Sequence, residues 1–298
     1  MSRRLFVDGA HGTVGMAVRP HLTQMWKEGL ADAVVLPEEL RRDRSARRAA
    51  MATADVVLLC LPDEAAAEAV AMVEEVNPEA RILDASAAHR CADDWVYGLP
   101  EVTSPEAIRK AKRVANPGCF ATGCILIARP LSRYLQDSEF GSGLLMGNNQ
   151  PWMAFQGVTG YSAGGYHGHA TADMPYMAQM GVEHRHLAEI AQYGEVVPTL
   201  SVIVADHCQG MVVQTSVPLN AGLVYQLLEA YYADSGCVIV SNASEDDRRL
   251  SAQVANRTNR VHIKVSSQPN GTVIAAAFDN LGKGSAGAAV ENLRLMLA

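Results

Sequence analysis

Several features are scarce in this sequence, and each scarcity argues against a class of protein. No run approaches the ~20 consecutive apolar residues of a membrane span, and the start, MSRRLFVDGA, has two arginines without the apolar stretch of a signal peptide. Basic residues are too few for a general nucleic-acid binder, since 25 Lys and Arg stand against 32 Asp and Glu, a net charge of −7. We therefore expect neither a membrane nor a nucleic acid as partner.

Cysteine and histidine are present without the spacing that marks metal or disulfide frameworks. The six cysteines form no CxxC pair and no closely spaced secreted pattern, so we expect reduced thiols and a cytoplasmic protein. His184 and His186 form an HxH pair, and His167 and His169 lie in a glycine-rich stretch. An HxH pair without a third nearby ligand is a weak zinc signal, so we expect no metal ion.

The first 120 of the 298 residues alternate short apolar runs with helical patterns. Strands are predicted at 3–9, 31–36, 54–62, 80–86 and 112–116, with helices at 13–28, 41–52 and 63–76. Continuous apolar strands separated by helices are typical of a parallel sheet buried on both faces. This half of the chain is therefore predicted to form a Rossmann-like α/β domain.

The pattern changes to longer, alternating strands after residue 144. Such strands are predicted at 200–208, 211–219, 260–268 and 272–280, with an Asn-Gly hairpin turn before the last. We expect an α+β domain of residues 119–280 with a mostly antiparallel sheet. Residues 1–118 with the final helix in 281–298 are predicted to form the dinucleotide-binding domain.

Glycines at 9, 12 and 15 directly follow the first strand and open a helix. In that context glycines let the backbone approach a dinucleotide pyrophosphate, and the helix N-terminus favours the anion. The spacing is GxxGxxG rather than the usual GxGxxG, so a tight turn without a ligand is the alternative. The residues expected to bind cofactor here are Gly9, His11, Gly12, Thr13, Val14 and Gly15.

The stretch PEELRRDRSARR follows the second predicted strand, where a dinucleotide's adenosine ribose is recognised. Arg41 and Arg42 would suit a ribose 2′-phosphate, so NADP(H) is the expected cofactor. A solvated helix face with acidic partners is nearly as good an interpretation, and Glu38 and Glu39 keep NAD possible.

The stretch NPGCF contains the candidate nucleophile. Asn116 is a potential helix cap, Pro117 suits a first turn, and Cys119 would then lie in the first turn of a helix. A helix N-terminus stabilises a thiolate, and its backbone N–H groups could receive an oxyanion. A small buried core residue is an equally good interpretation of Cys119, whereas Cys124 in the following apolar run is predicted to be core. The acid–base candidates are His184 and His186, on either side of Arg185.

Seven motifs together resemble the short form of the N-acetyl-gamma-glutamyl-phosphate reductases of arginine biosynthesis, in the semialdehyde dehydrogenase superfamily. They are GAHGTVG (9–15), LDASAAHR (83–90), YGLPE (97–101), NPGCFATG (116–123), GVTGYSAGG (157–165), PYMAQMGVEHRHLAEI (175–190) and FDNLGKGSAGAAVEN (278–292). Three motifs depart from the family's usual form. Ala88-His89-Arg90 stands for Asp-Phe-Arg, GVTGYSAGG for GVSGAGR, and Leu187-Ala188-Glu189 for x-Pro-Glu.

The resemblance implies that Cys119 forms a thioester with an acyl phosphate, which NADPH then reduces to N-acetylglutamate 5-semialdehyde with release of phosphate. It implies an acid–base histidine, with His184 favoured over His186, and a homodimer or homotetramer. It adds Ser86, Gly160 and Asn280 as cofactor contacts, and Arg90, Asn116 and Arg185 as substrate contacts. The alternatives are a related acyl phosphate (aspartyl or carrier-linked aminoadipyl), a non-enzymatic dinucleotide-binding regulator, or a redox protein using Cys119 and Cys124.

Overall fold

A computed structural model describes residues 2–137, 145–146, 149–164, 174–244 and 246–298. The chain divides into two compact units. The first consists of Met1–Pro117 and Ser285–Ala298, and the second of Gly118–Gly284. None of the described helices is long and apolar enough to cross a bilayer.

The first unit contains a six-stranded parallel sheet, in the order β2-β1-β3-β4-β6-β5. Its strands are β1 (Arg3–Asp8), β2 (Ala31–Val34), β3 (Val56–Leu59), β4 (Arg81–Asp84), β5 (Val96–Tyr97) and β6 (Arg113–Ala115). Its helices are α1 (Thr13–Lys27), α2 (Arg44–Ala52), α3 (Asp63–Val76), α4 (Pro105–Lys110) and α8 (Gly287–Leu297). Strand order reverses between β1 and β3, the place where open α/β sheets bind their ligands.

Helices cover both faces of this sheet. Successive side chains of a strand point to opposite faces, so neighbouring residues of one strand belong to different core clusters. On β1, Leu5 and Val7 belong to one core cluster with residues of α1 and α8, including Leu293. Phe6 belongs to a second cluster with residues of α2 and α3, including Met51. The sheet is therefore buried on both faces, as its continuous apolar strands predict.

The second unit contains an eight-stranded mixed sheet, in the order β12-β13-β14-β11-β8-β10-β9, with β7 paired to β8. Its strands are β7 (Leu145–Met146), β8 (Gln150–Gly160), β9 (Tyr176–Ala178), β10 (Val197–Ala205), β11 (Met211–Val217), β12 (Val238–Asn242), β13 (Val261–Gln268) and β14 (Gly271–Phe278). Its helices are α5 (Cys119–Asp137), α6 (Leu187–Gly194) and α7 (Ala221–Tyr231). Helix α5 packs against the sheet and against both other helices.

The predicted α/β class with a parallel and a mostly antiparallel sheet is confirmed, with differences in detail. Two pairs of the second sheet are parallel, β8 with β10 and β12 with β13. The two-residue strand β5 is too short to leave a sequence pattern. The helix predicted at 41–52 begins only at Arg44, because Asp43 caps it by accepting a hydrogen bond from Ala46 N–H.

Candidate active site

Cys119 is the first residue of α5. The Gly118 carbonyl accepts the first helical hydrogen bond, from Thr122 N–H at 2.8 Å, so Gly118 is the N-cap. Cys119 is half-buried, whereas Cys124 is fully buried and burial raises the pKa of its thiol well above the ordinary value. The first turn of α5 therefore presents one accessible thiol beside the positive end of the helix dipole.

The prediction that Asn116 caps this helix is wrong. Asn116 lies in the first unit, where its side chain donates to the Ser285 carbonyl at 3.0 Å and accepts from Asn292 Nδ2 at 3.1 Å. Its backbone carbonyl accepts from Arg90 Nε at 2.9 Å. These bonds give the buried Asn116 side chain a structural role in the first unit.

His184 and His186 lie side by side in the second unit, with ring centroids 4.7 Å apart, and both are buried. Each also contacts the ring of Phe120, at 5.7 Å and 6.1 Å between centroids. Since Phe120 follows Cys119 in α5, these contacts bring both histidines to the helix turn that carries the thiol. Arg185, between them in sequence, is exposed.

The protonation state of His184 is fixed by its surroundings. The backbone N–H of His186 donates to its Nδ1 at 3.1 Å, so in the neutral ring the proton sits on Nε2. Burial, helped by the charge of Arg185, lowers the pKa of His184 to about 4. His184 is therefore a neutral imidazole at pH 7, able to donate a hydrogen bond from Nε2.

A buried carboxylate, Glu189, lies at the same helix end. Its Oε2 accepts a hydrogen bond of 2.9 Å from Gly118 N–H, one of the donors left open at the start of α5. Glu189 is carried by α6, which begins directly after His186. The carboxylate thus connects the histidine segment to the loop before Cys119.

Other predicted residues of the second unit hold its own backbone together. Asn280 Oδ1 accepts from Gly210 N–H at 2.8 Å, and its Nδ2 donates to Ser162 Oγ at 3.0 Å. A Cβ at Gly160 would lie 2.4 Å from the His207 carbonyl oxygen. Packing within the unit therefore accounts for Asn280 and Gly160 before any cofactor is considered.

Gly284 lies beside the candidate nucleophile. A Cβ added at Gly284 would lie 3.0 Å from the Cβ of Cys119.

The glycine loop of the first unit fits a dinucleotide pyrophosphate. Gly9 has φ +80°, and a Cβ there would lie 2.2 Å from the Cys60 carbonyl oxygen; a Cβ at Gly15 would lie 2.4 Å from the Gly9 oxygen. Gly12 is different: its backbone is extended, and a Cβ would meet its nearest atom at 3.5 Å. The chain's own packing does not require glycine at 12, which suggests an external group approaching this N-cap of α1. Thr13 and Val14 form the first turn of that helix.

Five arginines follow β2 within residues 41–48, and three of them are ion-paired, including Arg48 with Glu75. Arg41 pairs with Glu38 at 3.3 Å, and Arg47 pairs with the buried Asp8 at 2.7 Å. Desolvation raises the pKa of Asp8 despite this arginine. Arg42 has no carboxylate partner within the described residues. Of the two arginines predicted to hold a 2′-phosphate, Arg42 is therefore the better placed by charge. His11 Nε2 donates to the Leu36 carbonyl at 3.0 Å.

The predicted residues Ser86 and Arg90 follow β4 and are both buried. Ser86 bonds Asp84 through its N–H and its hydroxyl, at 2.8 and 2.7 Å. Arg90 donates to the Asn116 carbonyl, so these residues share one end of the parallel sheet. For metals, the described residues contain no group of three or more potential ligands. His167 and His169 lie outside the described residues.

Family models match both parts of the chain. A model of the semialdehyde dehydrogenase dimerisation domain matches residues 119–280, and one of the semialdehyde dehydrogenase NAD-binding domain matches residues 28–111. The fold is shared with aspartate semialdehyde dehydrogenase II of Vibrio cholerae (TM-score 0.73, 15% identity, covering 99% of this chain and 98% of that one). A similar structure is the Candida albicans aspartate semialdehyde dehydrogenase with NADP (TM-score 0.65, 15% identity, covering 99% and 98%).

The two family-model matches place the chain in the semialdehyde dehydrogenase family, with a nicotinamide dinucleotide-binding domain. Relatives over the whole length are more specific. N-acetyl-gamma-glutamyl-phosphate reductases of Chelativorans sp. and Burkholderia lata are 34% and 36% identical, covering 100% and 98% of this chain and 99% and 96% of theirs. The enzyme of that name from Rhizobium meliloti is 34% identical, with complete coverage of both chains. The chain belongs to the N-acetyl-gamma-glutamyl-phosphate reductase family.

Sequence reasoning missed three polar residues that the structure places beside predicted ones. Glu189 is a charged residue next to the buried Ile190 in a short apolar helix, a pattern that signals a buried partner. Asp84, at the end of an apolar strand, gives the same signal. His89 stands out in the sequence only as a departure from a family motif, and no sequence pattern indicates that its ring stacks on Trp95.

Proposed function

We propose that this protein reduces N-acetyl-L-glutamyl 5-phosphate to N-acetyl-L-glutamate 5-semialdehyde and phosphate, with NADPH, through a thioester on Cys119. The observation that carries the proposal is an accessible thiol at the start of α5 with two buried histidines packed on the same turn. Full-length identity of 33–36% to reductases of that name supports the substrate.

Cys119 supplies the nucleophile. Its thiolate attacks the acyl carbon, the carbonyl oxygen becomes an oxyanion, and phosphate leaves with its bonding electron pair, so the product is a thioester. The N–H groups at the start of α5 are suited to the oxyanion, because they lack helical acceptors. The nicotinamide dinucleotide, when bound, supplies the hydride that reduces this thioester.

The two histidines take different roles in this scheme. His184 is held neutral with its proton on Nε2, so we assign it hydrogen-bond donation to the substrate oxygen rather than proton abstraction. His186 then becomes the acid–base residue, reversing the preference that the sequence suggests. It would take the Cys119 thiol proton and return a proton when the thiohemiacetal collapses to aldehyde.

The remaining site residues would bind the negatively charged groups of the substrate and the cofactor. Arg90 would hold the phosphate group, Arg185 a substrate carboxylate, and Arg42 a ribose 2′-phosphate that makes NADP(H) the preferred cofactor. The loop from Gly9 to Gly15 would hold the pyrophosphate. We also propose a cytoplasmic homodimer or homotetramer, supported by six free cysteines and by the dimerisation-domain match.

The test is phosphate-dependent reduction of NADP⁺ by N-acetylglutamate 5-semialdehyde. The unaltered protein should be active, and Cys119→Ala should lose activity while still binding NADPH in a fluorescence titration. Cys208→Ala, which removes an exposed thiol of the second unit, is the matched control and should stay active. No activity in the unaltered protein would reject this substrate, and activity in Cys119→Ala would reject the covalent mechanism.

A further inference from the structure

We propose that His89, held by the buried carboxylate of Asp84, positions Arg90 to bind the phosphate group of the acyl phosphate. The inference rests on the function proposed above, in which Arg90 is the phosphate ligand. It assigns a role to a histidine that stands where the family usually has phenylalanine.

Asp84 is the centre of the arrangement. It is wholly buried at the end of β4, and it accepts three hydrogen bonds from one short turn. Ser86 contributes its N–H and hydroxyl, and His89 donates Nδ1–H to Oδ2 at 2.6 Å. A buried carboxylate is costly unless it is paired and hydrogen-bonded, so these bonds hold the turn tightly to the sheet.

The ring of His89 is held on a second side as well. It stacks on Trp95 with centroids 4.2 Å apart and planes 15° apart, and Trp95 is itself buried. The bond to Asp84 fixes which nitrogen carries the proton, and the stacking fixes the plane of the ring. A phenylalanine here could keep the stacking but not the bond.

Arg90 follows directly and is tied into the same network. Its Nε donates to the Asn116 carbonyl at 2.9 Å, and Asn116 N–H donates to the Asp84 carbonyl at 2.7 Å. The carboxylate of Asp84 therefore holds His89 directly. The backbone carbonyl of Asp84 holds Asn116, and the backbone carbonyl of Asn116 in turn holds the guanidinium of Arg90. Bidentate phosphate recognition needs a guanidinium in a fixed orientation, so loosening His89 should disturb phosphate binding.

The first experiment is His89→Phe, with steady-state kinetics in the direction that consumes phosphate. We expect the KM for phosphate to rise about five- to tenfold while kcat changes less than about twofold. The dissociation constant of NADPH, measured by fluorescence, should stay unchanged. His21→Phe, the same substitution at an exposed position of α1, is the control and should change none of these values. An unchanged phosphate KM in His89→Phe would overturn the proposal.

A double-variant cycle separates positioning from direct contact. If His89 acts through Asp84, then Asp84→Asn should raise the phosphate KM, and adding His89→Phe should raise it little further. Additive effects would mean that His89 touches phosphate itself, which overturns the positioning role. Where Asp84→Asn does not fold, His89→Phe decides alone.

Arg90→Lys distinguishes failure of the inference from failure of the proposed function. Raised phosphate KM in Arg90→Lys, without an effect in His89→Phe, rejects only the role of His89. An unchanged phosphate KM in Arg90→Lys rejects the proposed role of Arg90, and the inference with it.

Discussion

Glu189 Oε2 and Gly118 N–H are joined by a 2.9 Å hydrogen bond, one residue before the candidate nucleophile Cys119. The bond links α6, which starts directly after His186, to the first turn of α5. A single buried carboxylate thereby sets the position of the histidine segment relative to the thiol. It also places negative charge at a helix end that otherwise favours a thiolate.

Two substitutions separate the effect of the hydrogen bond that Glu189 accepts from the effect of its negative charge. Glu189→Gln keeps an acceptor for Gly118 N–H but removes the charge, so iodoacetamide should modify Cys119 severalfold faster at pH 7. Glu189→Leu leaves a buried N–H unpaired and should cost about 1–3 kcal/mol of unfolding free energy. Alkylation should be followed by mass spectrometry of the Cys119 peptide, with Cys208 as the internal reference. Equal rates in Glu189→Gln and the unaltered protein would remove the electrostatic role.

The two histidines should respond differently to substitution. Glutamine at 184 can still donate a hydrogen bond, so His184→Gln should lose about tenfold or less in kcat. His186→Gln removes proton transfer and should lose about 10²–10⁴-fold. The pH dependence of kcat/KM in both variants is the measurement. The reverse ranking would return the acid–base role to His184.

His184 should also make folding pH-dependent. Its pKa is about 4 in the folded protein against 6.5 for the ordinary side chain, so between those values the unfolded chain binds more protons. Stability therefore falls as pH decreases from about 6.5 towards 4, by roughly 1–3 kcal/mol from this group. Urea unfolding at pH 7 and pH 4.5 measures the loss. His184→Gln should lose less unfolding free energy between these two pH values. His21→Gln, at an exposed position of α1, should lose as much as the unaltered protein.

Alanine substitutions in the glycine loop should separate folding from cofactor binding. Gly9→Ala forces a Cβ against the Cys60 carbonyl at positive φ and should lower the melting temperature strongly. At Gly12 an added Cβ has room, so Gly12→Ala should melt normally yet bind NADPH more weakly. Calorimetry and a fluorescence titration measure the two effects. Unchanged NADPH affinity in Gly12→Ala would mean that no phosphate approaches this N-cap.

The sequence predicts the elements well where one local signal dominates. Helix α3 has the predicted bounds 63–76, because Pro62 precedes it and acidic residues fill its first turn. For α5 the prediction places Pro117 inside the first turn, whereas the helix begins two residues later, at Cys119. Strand β5 was missed because two residues form no period, and the parallel pairing of β8 with β10 depends on chain topology rather than on either strand's pattern.

The sequence indicates which residues belong to the candidate site, but it does not indicate the hydrogen bonds between them. Cys119, His184 and His186 stand out by chemistry and spacing. That Glu189 reaches Gly118 requires the folded positions of two segments 71 residues apart. The neutral tautomer of His184 depends on the local backbone geometry at His186, which the spacing of the two histidines does not give. Asn116 shows the converse, since a residue with strong capping propensity is used in tertiary bonds instead.

The return of α8 to the first unit has a consequence for biosynthesis. Leu293, Met296 and Leu297 belong to the core beneath β1, although they are translated after the whole of the second unit. On the ribosome, the inserted residues 118–284 can finish folding while the surrounding nucleotide-binding unit still lacks its final helix. Chains stalled on the ribosome before α8 is exposed should therefore show no cofactor-dependent protection of the first unit, whereas the released chain should show it.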